Sequence, residues 1–95
     1  MNNTEIAKVF EDIAHLLELK KDSIFKIRAY RKAGKSIGNL PMAVEQLAPE
    51  NKLGEIPGVG DAISRKITEM INSGRLEYYE RLKAELAGDR DGQPG

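Results

Sequence analysis

The chain predicts an all-α fold, a small bundle of four to five helices, on three observations. Apolar residues recur at three- and four-residue spacing in successive segments. Asn, Ser, Pro and Gly punctuate those segments where helices ordinarily start and stop. No stretch alternates apolar and polar residues for long enough to propose a strand. At 95 residues, 40% hydrophobic and 32% charged, the chain suits one globular domain whose modest core leaves no room for a bulky cofactor.

Taken in order, Asn2, Asn3 and Thr4 offer an N-cap to a first helix. Ile6, Val9, Phe10, Ile13, Leu16 and Leu17 line one face of it to about Leu19. Asp22 or Ser23 caps a second helix with an apolar stripe of Ile24, Ile27, Tyr30, Ala33 and Ile37, ended by Gly38 and Asn39. Pro41 suits the first turn of a short third helix with Val44 and Leu47 inward, which Pro49 stops. From Leu53 a single turn leads into Pro57-Gly58-Val59-Gly60 and then a helix with Ile63, Ile67, Met70 and Ile71 on one side, closed by Gly74. Arg75 to Leu86 forms a last helix packed through Leu76, Leu82 and Leu86, with Tyr78 or Tyr79 also inward. Residues 1–87 then make the domain, and 88–95 read as a flexible tail or linker.

Charge is informative only locally. Acids and bases balance at 15 each, yet between Lys20 and Lys35 seven bases face the single acid Asp22, an anion-binding segment. The absence of cysteine excludes disulfides, a thiolate nucleophile and Cys-ligated zinc, and fits a reducing compartment. The opening MNNTEIAKVFEDIAHLLELKK mixes acids and lysine among its apolar residues, unlike a secretory or membrane-spanning segment. A cytoplasmic monomer with no membrane partner is expected. His15, the sole histidine, lies beside the apolar stripe of the first helix with no metal-ligating constellation around it, so a structural role is expected of it.

The segment 53–73 carries the functional signal. Two glycines one residue apart, Gly58 and Gly60, permit positive φ and close backbone approach, and a helix starts directly behind them. Exposed amides at such a helix start, those of Gly58, Val59, Gly60 and Ala62, suit a phosphate oxygen. Apolar residues on both sides (Leu53, Ile56, Val59, Ile63 and Ile67) are what two helices packed around a tight turn require, making 53–73 a helix-hairpin-helix unit. Binding through backbone amides touches no base edge and is therefore sequence-independent. Lys26, Arg28, Arg31, Lys32 and Lys35 add phosphate contacts. A hairpin that serves packing alone, in a helical protein-interaction module, is the alternative.

The run L-G-E-I-P-G-V-G-D-A-I-S-R-K-I-T-E-M-I-N-S-G-R-L resembles the helix-hairpin-helix of the N-terminal domain of family X DNA polymerases. Upstream, Phe25-Lys26-Ile27-Arg28-Ala29-Tyr30-Arg31-Lys32-Ala33 is similar to that family's second helix, and the resemblance spans roughly residues 4–86. It implies DNA binding at gaps or on single strands as part of a repair polymerase, with base excision repair as the setting. It also implies a monovalent cation, Na⁺ or K⁺, on the main-chain carbonyls of Gly54, Ile56 and Val59, and no other cofactor. Lys26 corresponds to a contact to a 5′-phosphate, and Tyr30 to a wall of a lyase pocket or, equally, a core residue. Lys66 stands where some members carry the Schiff-base nucleophile of 5′-deoxyribose phosphate removal, a metal-free reaction that needs a neutral amine. An unperturbed lysine titrates near ~10.4, so burial or neighbouring cations such as Lys26 or Arg65 must lower Lys66 substantially. Otherwise it is a solvated lysine paired with Glu69. Two positions depart from the family: Ala62 replaces a second phosphate-binding lysine, and Phe25 replaces a histidine that stacks on a base. Polymerisation needs clustered aspartates on two metals, and nothing after Leu86 supplies them.

Overall fold

The computed structural model describes residues 1–91 and is helical throughout its regular structure, with no strand among the described residues. Four α-helices, α1 (Asn3–Leu19), α2 (Ile24–Gly38), α3 (Asp61–Ser73) and α4 (Glu77–Asp91), are joined by tight turns and by three single 3-10 turns.

The Asn2 side chain accepts from the Glu5 amide while the Glu5 carboxylate accepts from the Asn2 amide, a reciprocal capping box that starts α1. Asn3 does more than sequence spacing indicates. Its side chain donates to the Met42 carbonyl at 2.7 Å and accepts from the Val44 amide at 2.8 Å, pinning the α2–α3 connection to the start of α1. At the other end, Lys21 adopts a left-handed conformation (φ 59°) and the Asp22 amide closes back on the Leu17 carbonyl, so the chain reverses directly into α2. Ser23 caps α2 through the Phe25 amide.

Ile6, Phe10, Ile13 and Leu17 of α1 pack with Ile27, Tyr30, Ala33 and Ile37 of α2, all nearly inaccessible to solvent. Gly34 sets how closely the two helices approach: a Cβ there would stand 3.0 Å from the Ala7 carbonyl oxygen and 3.1 Å from Glu11 Cγ.

The segment expected to be a short third helix is instead two 3-10 turns, Val44–Gln46 and Ala48–Glu50, ending at Asn51 in the left-handed region (φ 56°). Pro41 lies ahead of the first turn, and the Pro49 ring, which lacks an N–H and crowds the preceding turn, leaves no room to lengthen them. Val44 is buried as expected, whereas Leu47 is only half-buried.

A third 3-10 turn, Leu53–Glu55, opens the hairpin, and α3 then buries Ile63, Ile67 and Met70. Gly74, at φ 74°, ends α3 with its amide on the Met70 carbonyl. Leu76 and Leu82 anchor α4 in the core, and the Tyr79 hydroxyl donates to Asp12 of α1. Burial and the Asp12 carboxylate push Tyr79 up to about 12. The last helix runs to Asp91, past the expected stop at Leu86, because Gly88 does not take the positive φ that ends a helix. Positions 88–91 of the expected tail are thus helical, and 92–95 lie outside the described residues. No described helix is long and apolar enough to cross a membrane.

Candidate nucleic-acid interface

The hairpin is built by short bonds that use up some of its amides and leave others. The Ile56 amide donates to the Leu53 carbonyl at 3.1 Å and the Val59 amide to the Ile56 carbonyl at 3.0 Å. The first bond of α3 runs from the Ser64 amide to the Gly60 carbonyl at 2.8 Å. The amides of Gly58, Gly60, Asp61 and Ala62 therefore donate to nothing among the described residues, and they cluster at the positive end of the α3 dipole. The Val59 N–H, which the sequence places among the amide donors, closes the turn on the Ile56 carbonyl. Only Gly58 has a positive φ (83°); Gly60 is extended (φ −93°), with open space where a Cβ would lie. Ile56 and Val59 turn their side chains into the core, 3% and 5% exposed, so the hairpin presents backbone outward.

Lys32 of α2 lies across this turn. A Cβ on Gly58 would meet Lys32 Cγ at 2.8 Å and Cδ at 3.0 Å, so the lysine stem packs on the bare glycine. Arg28, Lys32 and Lys35, at helical spacing on one exposed face of α2, carry no ion pair among the described residues. Arg31 is turned elsewhere: its guanidinium bonds Glu18 of α1 and holds that carboxyl below its usual range. Lys26 sits 3.8 Å from Asp22, a loose pair at a water-exposed position.

A second cluster forms where α2, α3 and α4 meet. Tyr30 is 8% exposed, tilted against Phe10 with ring centroids 5.8 Å apart and stacked on Tyr78 at 6.0 Å and 15°. Burial, with the Tyr78 phenol beside it, raises the Tyr30 pKa well beyond the ordinary phenol range. The Lys66 ammonium stands 4.9 Å from the Tyr78 ring centroid. Burial lowers the Lys66 pKa against the pull of Glu69, and Lys26 and Arg65 push the same way as burial. Next to Tyr78 a groove of about 510 Å³ runs between α4 and the start of α2, lined by Lys20, Asp22, Lys26, Arg81, Leu82 and Glu85 among others. Phe25, at the start of α2, is 79% exposed.

The family model described as a helix-hairpin-helix domain matches residues 1–76. The chain belongs to that family. This helix-hairpin-helix domain is also similar to the DNA polymerase/3'-5' exonuclease PolX of Bacillus subtilis (strain 168), 28% identical over 86 residues. Those residues are 90% of this chain and 15% of that protein, so the domain spans about 15% of the relative's length.

Of the residues the sequence singles out in this helix-hairpin-helix domain, the structure joins Lys32 to the hairpin, places Lys26 on the groove that Tyr78 borders, and sets Tyr30 and Lys66 against the Tyr78 ring. It leaves Arg28 and Lys35 on the open face and sends Arg31 to Glu18. The Gly54 and Val59 carbonyls accept no hydrogen bond among the described residues, and the Ile56 carbonyl keeps one lone pair beyond the Val59 amide. Such unpaired main-chain oxygens suit a hard cation. No group of three or more His, Cys, Asp or Glu side chains is placed to hold a metal among the described residues. His15 is exposed on α1. Sequence reasoning left Tyr78 undecided between core and surface and gave Arg81 no part. Their relation to Lys66 and Lys26 depends on the angle at which α4 returns across the bundle, which no local spacing encodes.

Proposed function

We propose that this domain holds the sugar–phosphate backbone of DNA without reading its sequence. The observation that carries the reading is the uncommitted set of amides at Gly58, Gly60 and Ala62 with the Lys32 stem laid over Gly58. Amide donors and a helix dipole of roughly half a unit charge favour a phosphodiester, and the ammonium of Lys32 adds a full charge beside them. With Ile56 and Val59 buried, the one exposed side chain of that turn is Pro57, which has no hydrogen-bonding group to read a base edge. Arg28 and Lys35 extend the charge along the strand, and the carbonyls of Gly54, Ile56 and Val59 would hold a Na⁺ or K⁺ ion whose charge would add to the attraction for phosphate. The similarity to PolX supports a polymerase-related setting for DNA binding; the further reading is a monomeric N-terminal domain of a family X repair polymerase that acts at gaps in the cytoplasm.

The test is a salt titration of binding to a gapped duplex, with and without a 5′-phosphate in the gap. A slope of log affinity on log salt of about −0.9 for each phosphate contacted on duplex DNA is expected. Affinity that does not change between low and moderate salt sinks the proposal.

Lys66, resting on the Tyr78 ring that borders the groove, favours a second activity of the same domain, removal of a 5′-deoxyribose phosphate. A half-buried lysine with a lowered pKa holds more neutral amine at physiological pH than a solvated one. The amine adds to C1′ of the sugar aldehyde and water leaves, giving an imine. Loss of the C2′ proton supplies the electron pair for a new C2′–C3′ double bond, and the C3′–O bond breaks with the phosphate carrying its pair away. Water then hydrolyses the imine and restores Lys66. Borohydride, which reduces the imine to a stable amine, should trap a covalent DNA adduct in the parent chain and not in Lys66→Ala. Adduct formation equal in Lys66→Ala and Lys52→Ala removes Lys66 from the reaction.

A further inference from the structure

The interior of this domain is connected to Lys66 by a chain of rings. Phe10 is fully buried in α1; Tyr30 tilts against it, Tyr78 stacks on Tyr30, and the Lys66 ammonium rests on Tyr78. The two outer members come from different helices, Lys66 from α3 and Tyr78 from α4, and Tyr78 also lines the groove that holds Lys26 and Arg81. A lysine side chain has four rotatable bonds and in water samples many rotamers. Here one flat face of a ring, immobilised by stacking on a buried partner, sets where its amine rests. An amine within ~6 Å of a ring centroid gains roughly 0.5–2 kcal/mol from the ring quadrupole, enough to select one rotamer family.

We infer that Tyr78 is the positioning residue of Lys66, a platform seated on Tyr30 that presents the lysine amine to the groove where a 5′-terminal sugar aldehyde phosphate enters. This rests on the lyase reading of Lys66 given above. The ring has two opposed effects: its face favours the ammonium, while its bulk keeps water from the amine. Burial is the larger influence on Lys66, so removing the ring should return the amine toward the ordinary lysine range. The groups that face Lys66 are Lys26 from α2, Tyr78 from α4, and Arg65 and Glu69 from its own helix. None but Tyr78 both touches the amine and borders the groove. Lys20 on that border is held by Glu85 at 3.0 Å, but the other two cations there are loosely held. Lys26 is 3.8 Å from Asp22 and Arg81 is 3.9 Å from Glu77, so a phosphate can compete for both.

The experiment compares the full chain with Tyr78→Phe and Tyr78→Ala by two readouts. The first is the pH titration of the Lys66 Cε chemical shift, assigned by its absence in Lys66→Ala. The second is borohydride trapping on a gapped duplex with a 5′-deoxyribose phosphate, followed from neutral to alkaline pH. Tyr78→Phe should keep both profiles. Tyr78→Ala should move both midpoints upward and cut trapping at neutral pH by about tenfold for each unit of that shift. If Tyr78→Ala loses helical circular dichroism, Tyr78→Gln, which removes the ring and tolerates water, replaces it with the same expected shift. Trapping by the parent chain with an unchanged profile in the ring-less variant overturns the inference and leaves the lyase reading standing. No trapping by the parent chain removes the lyase reading and the inference with it.

Discussion

Replacing Gly58 by alanine asks an L-residue to hold a φ of 83° and asks Lys32 to move, because the new methyl would lie 2.8 Å from Lys32 Cγ and 3.0 Å from Cδ. The backbone demand costs about 1–2 kcal/mol. The contact costs less, since those atoms belong to a flexible side chain that can swing away, but in doing so it takes the Lys32 ammonium off the hairpin. For a domain of this size such a loss lowers the melting temperature by about 4–8 °C per kcal/mol. Gly60→Ala is the decisive partner. At φ −93° with open space where the methyl goes, it should leave stability unchanged to within about 0.5 kcal/mol. Yet the methyl sits between two uncommitted amides, where a phosphate oxygen must come to about 2.9 Å of nitrogen. The assay is thermal melting of both variants beside a salt titration of binding to a gapped duplex. Gly58→Ala should lose stability and affinity together, and Gly60→Ala affinity alone. Full affinity in a folded Gly60→Ala would refute close backbone approach as the basis of binding.

Three further outcomes are expected. Gly34→Ala should destabilise by about 1–2 kcal/mol in chemical denaturation, because its methyl meets the fixed Ala7 carbonyl at 3.0 Å, a crowding that outweighs its gain in helix propensity. Gly38→Ala, with its nearest contact an ordinary 3.7 Å from Ala7 Cβ, should be neutral or slightly stabilising in the same measurement. Asn3→Ala should cost about 1–3 kcal/mol by leaving the half-buried Val44 amide without its acceptor, read as a shift in urea midpoint at constant slope. Tyr79 titrates near 12 in the folded chain and near 10 unfolded, so between those values the folded state binds the extra proton and stability falls as pH rises. Tyr79→Phe should flatten that fall in pH-dependent denaturation while costing about 1 kcal/mol at neutral pH.

The helices were legible wherever one face of a single segment decided the matter. The spacing of Ile6, Phe10, Ile13 and Leu17, and of Ile27, Tyr30, Ala33 and Ile37, is the buried seam of α1 and α2. The hairpin was legible because Gly58 and the start of α3 are chain neighbours. Residues 41–50 form 3-10 turns rather than the expected short helix because inward positions at Val44 and Leu47 fit one turn of either helix type, and the prolines that forbid the longer one act on backbone bonds rather than on the apolar pattern. The Asn3 bridge, the Gly34 contact, the Arg31–Glu18 pair and the Lys66–Tyr78–Tyr30 stack all join residues that come together only when helices cross. A sequence read in windows shows each partner without the angle that unites them.

The connection from Leu40 to Gly60 has a bearing on timescale. Its three 3-10 turns are each closed over three residues, and Val44, Leu53, Ile56 and Val59 are its buried anchors, with Asn3 as its long-range tether. Hydrogen bonds of that reach open without unwinding a helix, so deuterium should enter these amides well before those at Phe10, Ile37 or Ile67. The face that meets a phosphate would then belong to a unit that detaches and re-seats below the free energy of global unfolding. A bound strand, by stabilising only the seated state, should slow that exchange in proportion to its affinity.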